Sequence, residues 1–397
     1  MDFKMISFHP KAADIMAFHP FSIEEAAKAQ AYHSSFPMYE ITPLCSLSSL
    51  AKSLGVKSIH IKDESKRFGL NAFKVLGGSY ALGCYIAEKL NCDISELPAE
   101  KILSTEVHNQ LGELCFVTAT DGNHGRGIAW TASQLGQKSV VYMPKGSATE
   151  RLENIRAAGA DASITDYNYD DTVRLAAKQA KEQGWILVQD TTQEGYVDIP
   201  LHIMQGYTTM GYELIKQIDE LPTHLFLQAG VGSMAAAISA FFMSYYHERC
   251  PRIIIVEPHQ ANCFYRTAEA NDGKLHSVSG DMNTIMAGLA CGEPCELAWD
   301  ILECCAEAFI SCPDYAAADG MRTLATPFDD DPALISGESG ASAFGCVLNI
   351  LRDPELKTLK EQLQLDENSR LLFISTEGDT DKENYRRIVL EGAYAKP

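Results

Sequence analysis

Lys74 stands in the run Lys62-Asp63-Glu64-Ser65-Lys66-Arg67-Phe68-Gly69-Leu70-Asn71-Ala72-Phe73-Lys74-Val75-Leu76-Gly77-Gly78, where a strand end gives way to a helix through a polar, glycine-containing connection. A lysine at such a helix start, with Phe73 before it and a glycine pair shortly after, can turn its amine into a crevice that another backbone approaches closely. Burial there disfavours the ammonium form. The amine then serves as nucleophile and base, which is what Schiff-base formation with a carbonyl compound requires. Taken alone, Lys74 reads as one more solvated lysine.

Two further segments change that reading. Thr120-Asp121-Gly122-Asn123-His124-Gly125-Arg126-Gly127 follows a strand and opens a helix. Its glycines let the chain turn tightly and expose N–H groups at a helix N-terminus, where a carboxylate is stabilised. Asn123 adds an amide donor, and Asp121 reads either as an N-cap or as an anion facing a ligand. Gln228-Ala229-Gly230-Val231-Gly232-Ser233-Met234-Ala235 repeats the arrangement before a long helix and can cradle a phosphate on main-chain N–H groups. It is no dinucleotide fingerprint, because the third glycine is absent.

The elements that must position these loops alternate along the chain. Short β-branched runs are expected as strands at Ser58 to Lys62, Phe116 to Thr120, Ser139 to Met143, Ala162 to Thr165, Trp185 to Gln189, His224 to Gln228, Arg252 to Val256 and Leu371 to Ser375. Helix-period stretches lie between them at Gly125 to Leu135, Thr149 to Ala158, Asp170 to Gln183 and Ser233 to His247, with Gly136, Gly159 and Gly184 placed as C-caps. This is an α/β pattern with mostly parallel sheets flanked by helices. With 397 residues, two domains are expected: a small α/β domain over 84–203 and a large discontinuous one from 1–83 and 204–397.

A formal charge of −20 disfavours nucleic-acid and anionic-membrane partners, which leaves a small molecule. The first twenty residues lack an unbroken apolar core, and the longest apolar run, Met234 to Met243, is too short to span a bilayer, so a cytoplasmic protein is expected. The twelve cysteines lack zinc spacing, and no metal site is expected. Cys263 and Cys291 are read as two thiols in preference to a disulfide. The run Phe328-Asp329-Asp330-Asp331 reads as a solvated loop.

Together the three segments resemble the fold-type II, tryptophan-synthase-β-like pyridoxal-phosphate enzymes over most of the chain. The resemblance implies pyridoxal 5'-phosphate as cofactor, Lys74 as its Schiff-base lysine, Asn123 beside the pyridoxal oxygen, and Gly230, Val231, Gly232, Ser233 and Met234 around the phosphate. It places the strand end at Ser375 or Thr376 against the pyridine nitrogen, with Ser375 the first choice. A hydroxyl there does not hold the nitrogen protonated, which favours elimination. Thr120, Asp121, Gly122, Asn123 and His124 become the substrate-carboxylate loop.

Within that group, Phe73 to Gly78, Thr120 to Gly127, Ser336-Gly337-Glu338-Ser339-Gly340-Ala341, Ile285 to Pro294 and Ser375-Thr376-Glu377-Gly378-Asp379-Thr380-Asp381 look like the diaminopropionate ammonia-lyases. That narrower likeness implies a homodimer converting 2,3-diaminopropionate to pyruvate and ammonia, with Lys74, Asp121 and Asp190 as catalytic residues. Serine and threonine dehydratases typically carry serine at the position of Asp121. A leaving hydroxyl needs a proton donor, whereas a β-ammonium needs an anion to hold it. Two alternatives stay open on the residues alone: a serine/threonine dehydratase or cysteine-synthase-like β-replacement enzyme, and a non-catalytic phosphate- or nucleotide-binding α/β protein.

Overall fold

The computed structural model describes residues 2–12, 15–120 and 122–396. Its strands are β1 (Lys4–Ser7), β2 (Leu44–Ser46), β3 (Ser58–Asp63), β4 (Cys115–Ala119), β5 (Lys138–Met143), β6 (Asp161–Ile164), β7 (Ile186–Leu187), β8 (His224–Gln228), β9 (Arg252–Pro258), β10 (Ala306–Cys312) and β11 (Arg370–Ser375). Seven of them form one sheet in the order β1-β10-β9-β8-β11-β3-β2, and four form a second in the order β6-β5-β4-β7. The second sheet is parallel throughout, and in the first only the edge strands β1 and β2 run antiparallel.

Alternation along the central strands explains the layering. Leu225, Leu227, Ile253, Ile255, Leu372 and Ile374 face one way, onto the helices Val75–Leu90, Asp198–Gln217 and Ser233–Tyr246. Phe226, Ile254, Val256, Leu371 and Phe373 face the other, onto the helices Asp314–Ala325 and Glu338–Arg352. Both faces are dry, as a parallel sheet requires. The smaller sheet is covered in the same way, with Val141 and Met143 against Leu152 and Ile155 on one face, and Val117 and Ala119 against Val173 and Ala176 on the other.

The expected α/β class and all eight expected strands are present, though β7 keeps only Ile186–Leu187 of the run expected from Trp185 to Gln189. The sequence reading passed over β1, β2 and β10. Asp331 departs from its expected solvated state: it is buried, and its carboxylate accepts from the N–H groups of Ser49 and Leu50, capping the helix Ser48–Leu54. Residues 83 and 203 each fall inside a continuous helix, Val75–Leu90 and Asp198–Gln217.

A buried charge cluster braces the segment that leads from β3 to Lys74. Lys62 Nζ lies 2.6 Å from Glu213 Oε2, and Arg67 pairs with Glu213 at 2.7 Å and with Glu64 at 2.8 Å. Thr42 and Gln217 accept further bonds from Lys62. Two cations and two anions, all out of contact with water, hold the strand end, the following turn and the helix Asp198–Gln217 in one register. Breaking such a set is costly because a charge is left buried without its partner.

Candidate active site

Lys74 is carried into a pocket by two bonded flanks. On one, Phe73 N donates to Thr376 O at 3.1 Å, Gly378 N donates to Asn71 O at 3.0 Å, and Ala72 bridges Glu377, so the approach to Lys74 is zipped onto the extension of β11. On the other, the helix Asn123–Gln134 crosses so closely that a Cβ at Gly127 would lie 2.9 Å from Val75 Cα. The first and second chemical segments therefore touch through their backbones. The lysine's amine faces Asp190, with Nζ 2.6 Å from Oδ2. It also lies 5.5 Å from the centre of the Phe73 ring.

Asp190 follows β7 and is almost wholly buried. Burial alone would raise its carboxyl; the charge of Lys74, the influence of His124 and the Lys74 hydrogen bond outweigh it and bring the carboxyl down to about 2. Ser233 Oγ donates to Asp190 O at 2.5 Å, tying this residue to the loop before the helix Ser233–Tyr246. His124 is pushed down by burial, so its ring is neutral at neutral pH. Its Nε2 donates to Val188 O at 2.8 Å, and its buried Nδ1 has no partner among the described residues.

The loop Gly230–Met234 forms another stretch of the pocket wall. Gly232 has φ +93°, and a Cβ on it would sit 2.3 Å from Phe264 Cζ; one on Gly230 would press against Gly288 O at 3.1 Å. The loop is thereby held with the first-turn N–H groups of the helix Ser233–Tyr246, which have no intrahelical acceptors, at the pocket wall. Thr120, at the end of β4, accepts from Gly122 N at 2.9 Å and Gly125 N at 3.1 Å and so shapes the other glycine loop.

Of the residues singled out from sequence, Lys74, Thr120, Asn123, His124, Asp190, Gly230, Val231, Gly232, Ser233, Met234 and Thr376 line one pocket. Asp121 lies outside the described residues. Gly122 shapes the loop without lining the pocket, and Ser375, the first choice for the strand end, turns its hydroxyl 2.7 Å onto Ser336 Oγ instead. Thr376 takes the wall position, where its Oγ1 accepts from Gln228 Nε2 at 3.1 Å. β11 ends at Ser375, one residue before the pocket wall. Cys263 and Cys291 are buried thiols with no disulfide between them, and Cys291 reaches the pocket wall.

The sequence reading missed Glu377, Ser339 and Tyr169, which also line the pocket. The signal for Glu377 was the glycine pattern opposite it. A Cβ at Gly337 would meet Glu377 Cγ at 3.0 Å, and one at Gly340 would meet Glu377 O at 2.8 Å. Glu338, left undecided between site and cap, is buried at the start of the helix Glu338–Arg352 and does not reach the pocket. Burial, then the neighbouring Glu377, pushes it up to about 7.

An anion cradle at a helix N-terminus, an amine across from it, an amide and a hydroxyl between them match the polar groups of a phosphorylated pyridine aldehyde. The family model described as pyridoxal-phosphate dependent enzyme matches residues 36–376. The chain is 52% identical over 370 residues to the diaminopropionate ammonia-lyase of Salmonella typhimurium, covering 92% of each chain. To that of Escherichia coli K12 it is 50% identical over 379 residues, covering 94% of each.

The chain belongs to the diaminopropionate ammonia-lyase family of pyridoxal-phosphate-dependent enzymes. The crystal structure of the holo lyase from Escherichia coli superposes with a TM-score of 0.92 at 46% identity, over 100% of this chain and 98% of that one. The fold class, the family and the pyridoxal-phosphate cofactor expected from sequence hold. The described residues contain no helix long and apolar enough to cross a membrane and no group of three or more side chains suited to a metal ion.

Proposed function

We propose that the chain eliminates ammonia from 2,3-diaminopropionate, giving aminoacrylate that hydrolyses to pyruvate and a second ammonia. The observation that carries this reading is the Lys74–Asp190 pair at 2.6 Å in a pocket whose far wall is a phosphate cradle. Lys74 would hold the cofactor, Gly230, Val231, Gly232, Ser233 and Met234 its phosphate, Asn123 its ring oxygen and Thr376 its pyridine nitrogen. When bound, the cofactor supplies the electron sink that lets a carbanion form beside the amine.

Lys74 does double duty. Its Nζ would take the Cα proton of the L-isomer, and Asp121 would take that of the D-isomer. Beside the Lys74 ammonium the Asp190 carboxyl is brought down to about 2 and is an anion at neutral pH. A cationic neighbour keeps it so, and the substrate's β-ammonium, which Asp190 would steer, is such a neighbour. The loop from Thr120 to His124 receives the substrate carboxylate on its N–H groups. The four-stranded sheet and its helices, within 84–203, form the smaller domain, and the protein acts in the cytoplasm as a homodimer.

The test is pyruvate release from L- and D-2,3-diaminopropionate by purified protein with pyridoxal phosphate, with L-serine and L-threonine as controls. Release from both isomers is expected in the parent, lost from both in Lys74→Ala and lost from the D-isomer in Asp121→Asn. Turnover of serine or threonine alone overturns the substrate.

A further inference from the structure

Glu377 is a buried carboxylate, 1% exposed, at the pocket wall, and no step of the reaction described above uses it. It sits where three parts of the chain meet. Its Oε1 accepts from Ser339 N at 3.1 Å, at the N-terminus of the helix Glu338–Arg352, where a negative charge is favoured. Its Oε2 accepts from Thr380 Oγ1 at 3.2 Å and from Asn123 Nδ2 across the cleft. Its own backbone is fixed by the bridge to Ala72 and by Gly337 N donating to Glu377 O at 2.9 Å.

The Asn123 contact has a polarity that only an acceptor can impose. An ionised carboxylate accepts and never donates, so the Asn123 amide must turn its NH₂ group toward Glu377. The second N–H of that group and the Oδ1 are then fixed in direction as well. A residue placed to meet the cofactor's ring oxygen thereby loses the freedom to flip, and a negative charge stands one amide away from that oxygen. Charge-assisted bonds of this kind are roughly twice as strong as neutral ones. The glycines opposite, Gly337 and Gly340, reserve the space that the carboxylate's stem and backbone fill.

We propose that Glu377 is a positioning residue that locks the Asn123 amide against the cofactor's ring oxygen and holds the lysine–cofactor linkage in its protonated form. An anion on that side of the ring favours the cationic linkage, and a cationic linkage is the one that attracts electrons from the substrate. The influence of Glu377 on its neighbours is already visible in Glu338, whose rise to about 7 it contributes to after burial. This inference rests on the cofactor and on Asn123 beside its ring oxygen, and is independent of which amino acid is consumed.

The informative variant is Glu377→Gln. Glutamine keeps the size and can still accept from Ser339 N, but it presents an NH₂ group to the NH₂ group of Asn123 and carries no charge. The pH titration of the visible absorption band of the lysine-bound cofactor, recorded without substrate, reads the linkage directly. The midpoint in Glu377→Gln is expected to fall by about one pH unit or more, a tenfold change in the proton equilibrium. Cofactor affinity, from fluorescence titration of the cofactor-free protein, is expected to weaken about tenfold, the size of one charge-assisted bond.

Cooperative thermal unfolding of the cofactor-free variant, as in the parent, shows that the fold is intact. Asn123→Ala provides the second arm and should move the same midpoint the other way, upward, because it removes a donor from the ring oxygen and leaves the Glu377 charge in place. A shift in Asn123→Ala with none in Glu377→Gln makes Glu377 a helix cap only and overturns the proposal. No shift in either removes Asn123 from the ring oxygen and overturns it at its base, while pyruvate release from diaminopropionate is scored separately.

Discussion

Alanine at Gly127 should disable the enzyme without touching a chemical group. A Cβ there lies 2.9 Å from Val75 Cα, 3.0 Å from Val75 N and 3.3 Å from the Lys74 carbonyl carbon, whereas ordinary contact begins near 3.4 Å. The atoms on both sides are backbone, so no rotamer change relieves the overlap. The helix Asn123–Gln134 and the start of the helix Val75–Leu90 must part by roughly half an ångström to one ångström.

That separation moves the residue bearing the reacting amine relative to Asp190 and the cofactor cradle. Misplacement by about 1 Å costs on the order of 10²-fold in rate, so a loss of about 10- to 100-fold in kcat/KM is expected. Overpacking should cost roughly 1–3 kcal/mol of stability, against the gain of about 1 kcal/mol that alanine brings to a helix interior. Pyruvate release at saturating cofactor gives the rate, and thermal unfolding gives the stability. A Gly127→Ala protein that turns over at the parent rate and melts higher would falsify the claim that these backbones are in contact.

Two further changes probe the buried charges. The Asp190 carboxyl is lowered from 3.8 to about 2, so the stability it lends, about 2 kcal/mol, is present above its unfolded value and lost as pH falls through about 2. Asp190→Asn should therefore melt below the parent at pH 7, with the gap closing between about pH 4 and pH 2 in cofactor-free melts; a gap that widens toward acid contradicts the pairing. Glu213→Ala leaves Lys62 and Arg67 with Glu64 as the remaining carboxylate of the cluster, and a loss of about 3–5 kcal/mol in urea unfolding is expected. A loss under about 1 kcal/mol would mean that water reaches the cluster.

The chemistry was legible where the backbone itself does the work. Glycine loops between a strand and a helix must bring N–H groups to an anion, and both such loops line the pocket at Asn123 and at Gly230 to Met234. Lys74 was legible by its neighbours rather than by its type. What stayed hidden depends on partners far away in sequence. Lys62 looks like a solvated lysine until Glu213 arrives 151 residues later to pair with it. Glu377 needed Asn123, 254 residues earlier. Ser375 and Thr376 could not be told apart because alternation says which faces differ, and the pocket begins where the strand stops. Among the strands, β1 and β2 are too short to show a period of two, and β10 follows the helix Glu296–Cys305 with no glycine or proline to mark the change.

The zipping of Lys74's approach onto the extension of β11 sets a timetable for biogenesis. Asn71 and Asp379, which hydrogen-bond at 3.0 Å, are separated by 308 residues. At about 5–20 residues per second, synthesis delivers the bracing segment roughly 15–60 s after the lysine it braces. Within that interval Asp190 is made 116 residues after Lys74 and the Gly230–Met234 loop follows, so the anion and the cradle precede the brace. The pocket wall at Thr376 and Glu377 is therefore the last part of the site to be made, behind the lysine, the anion and the cradle it completes.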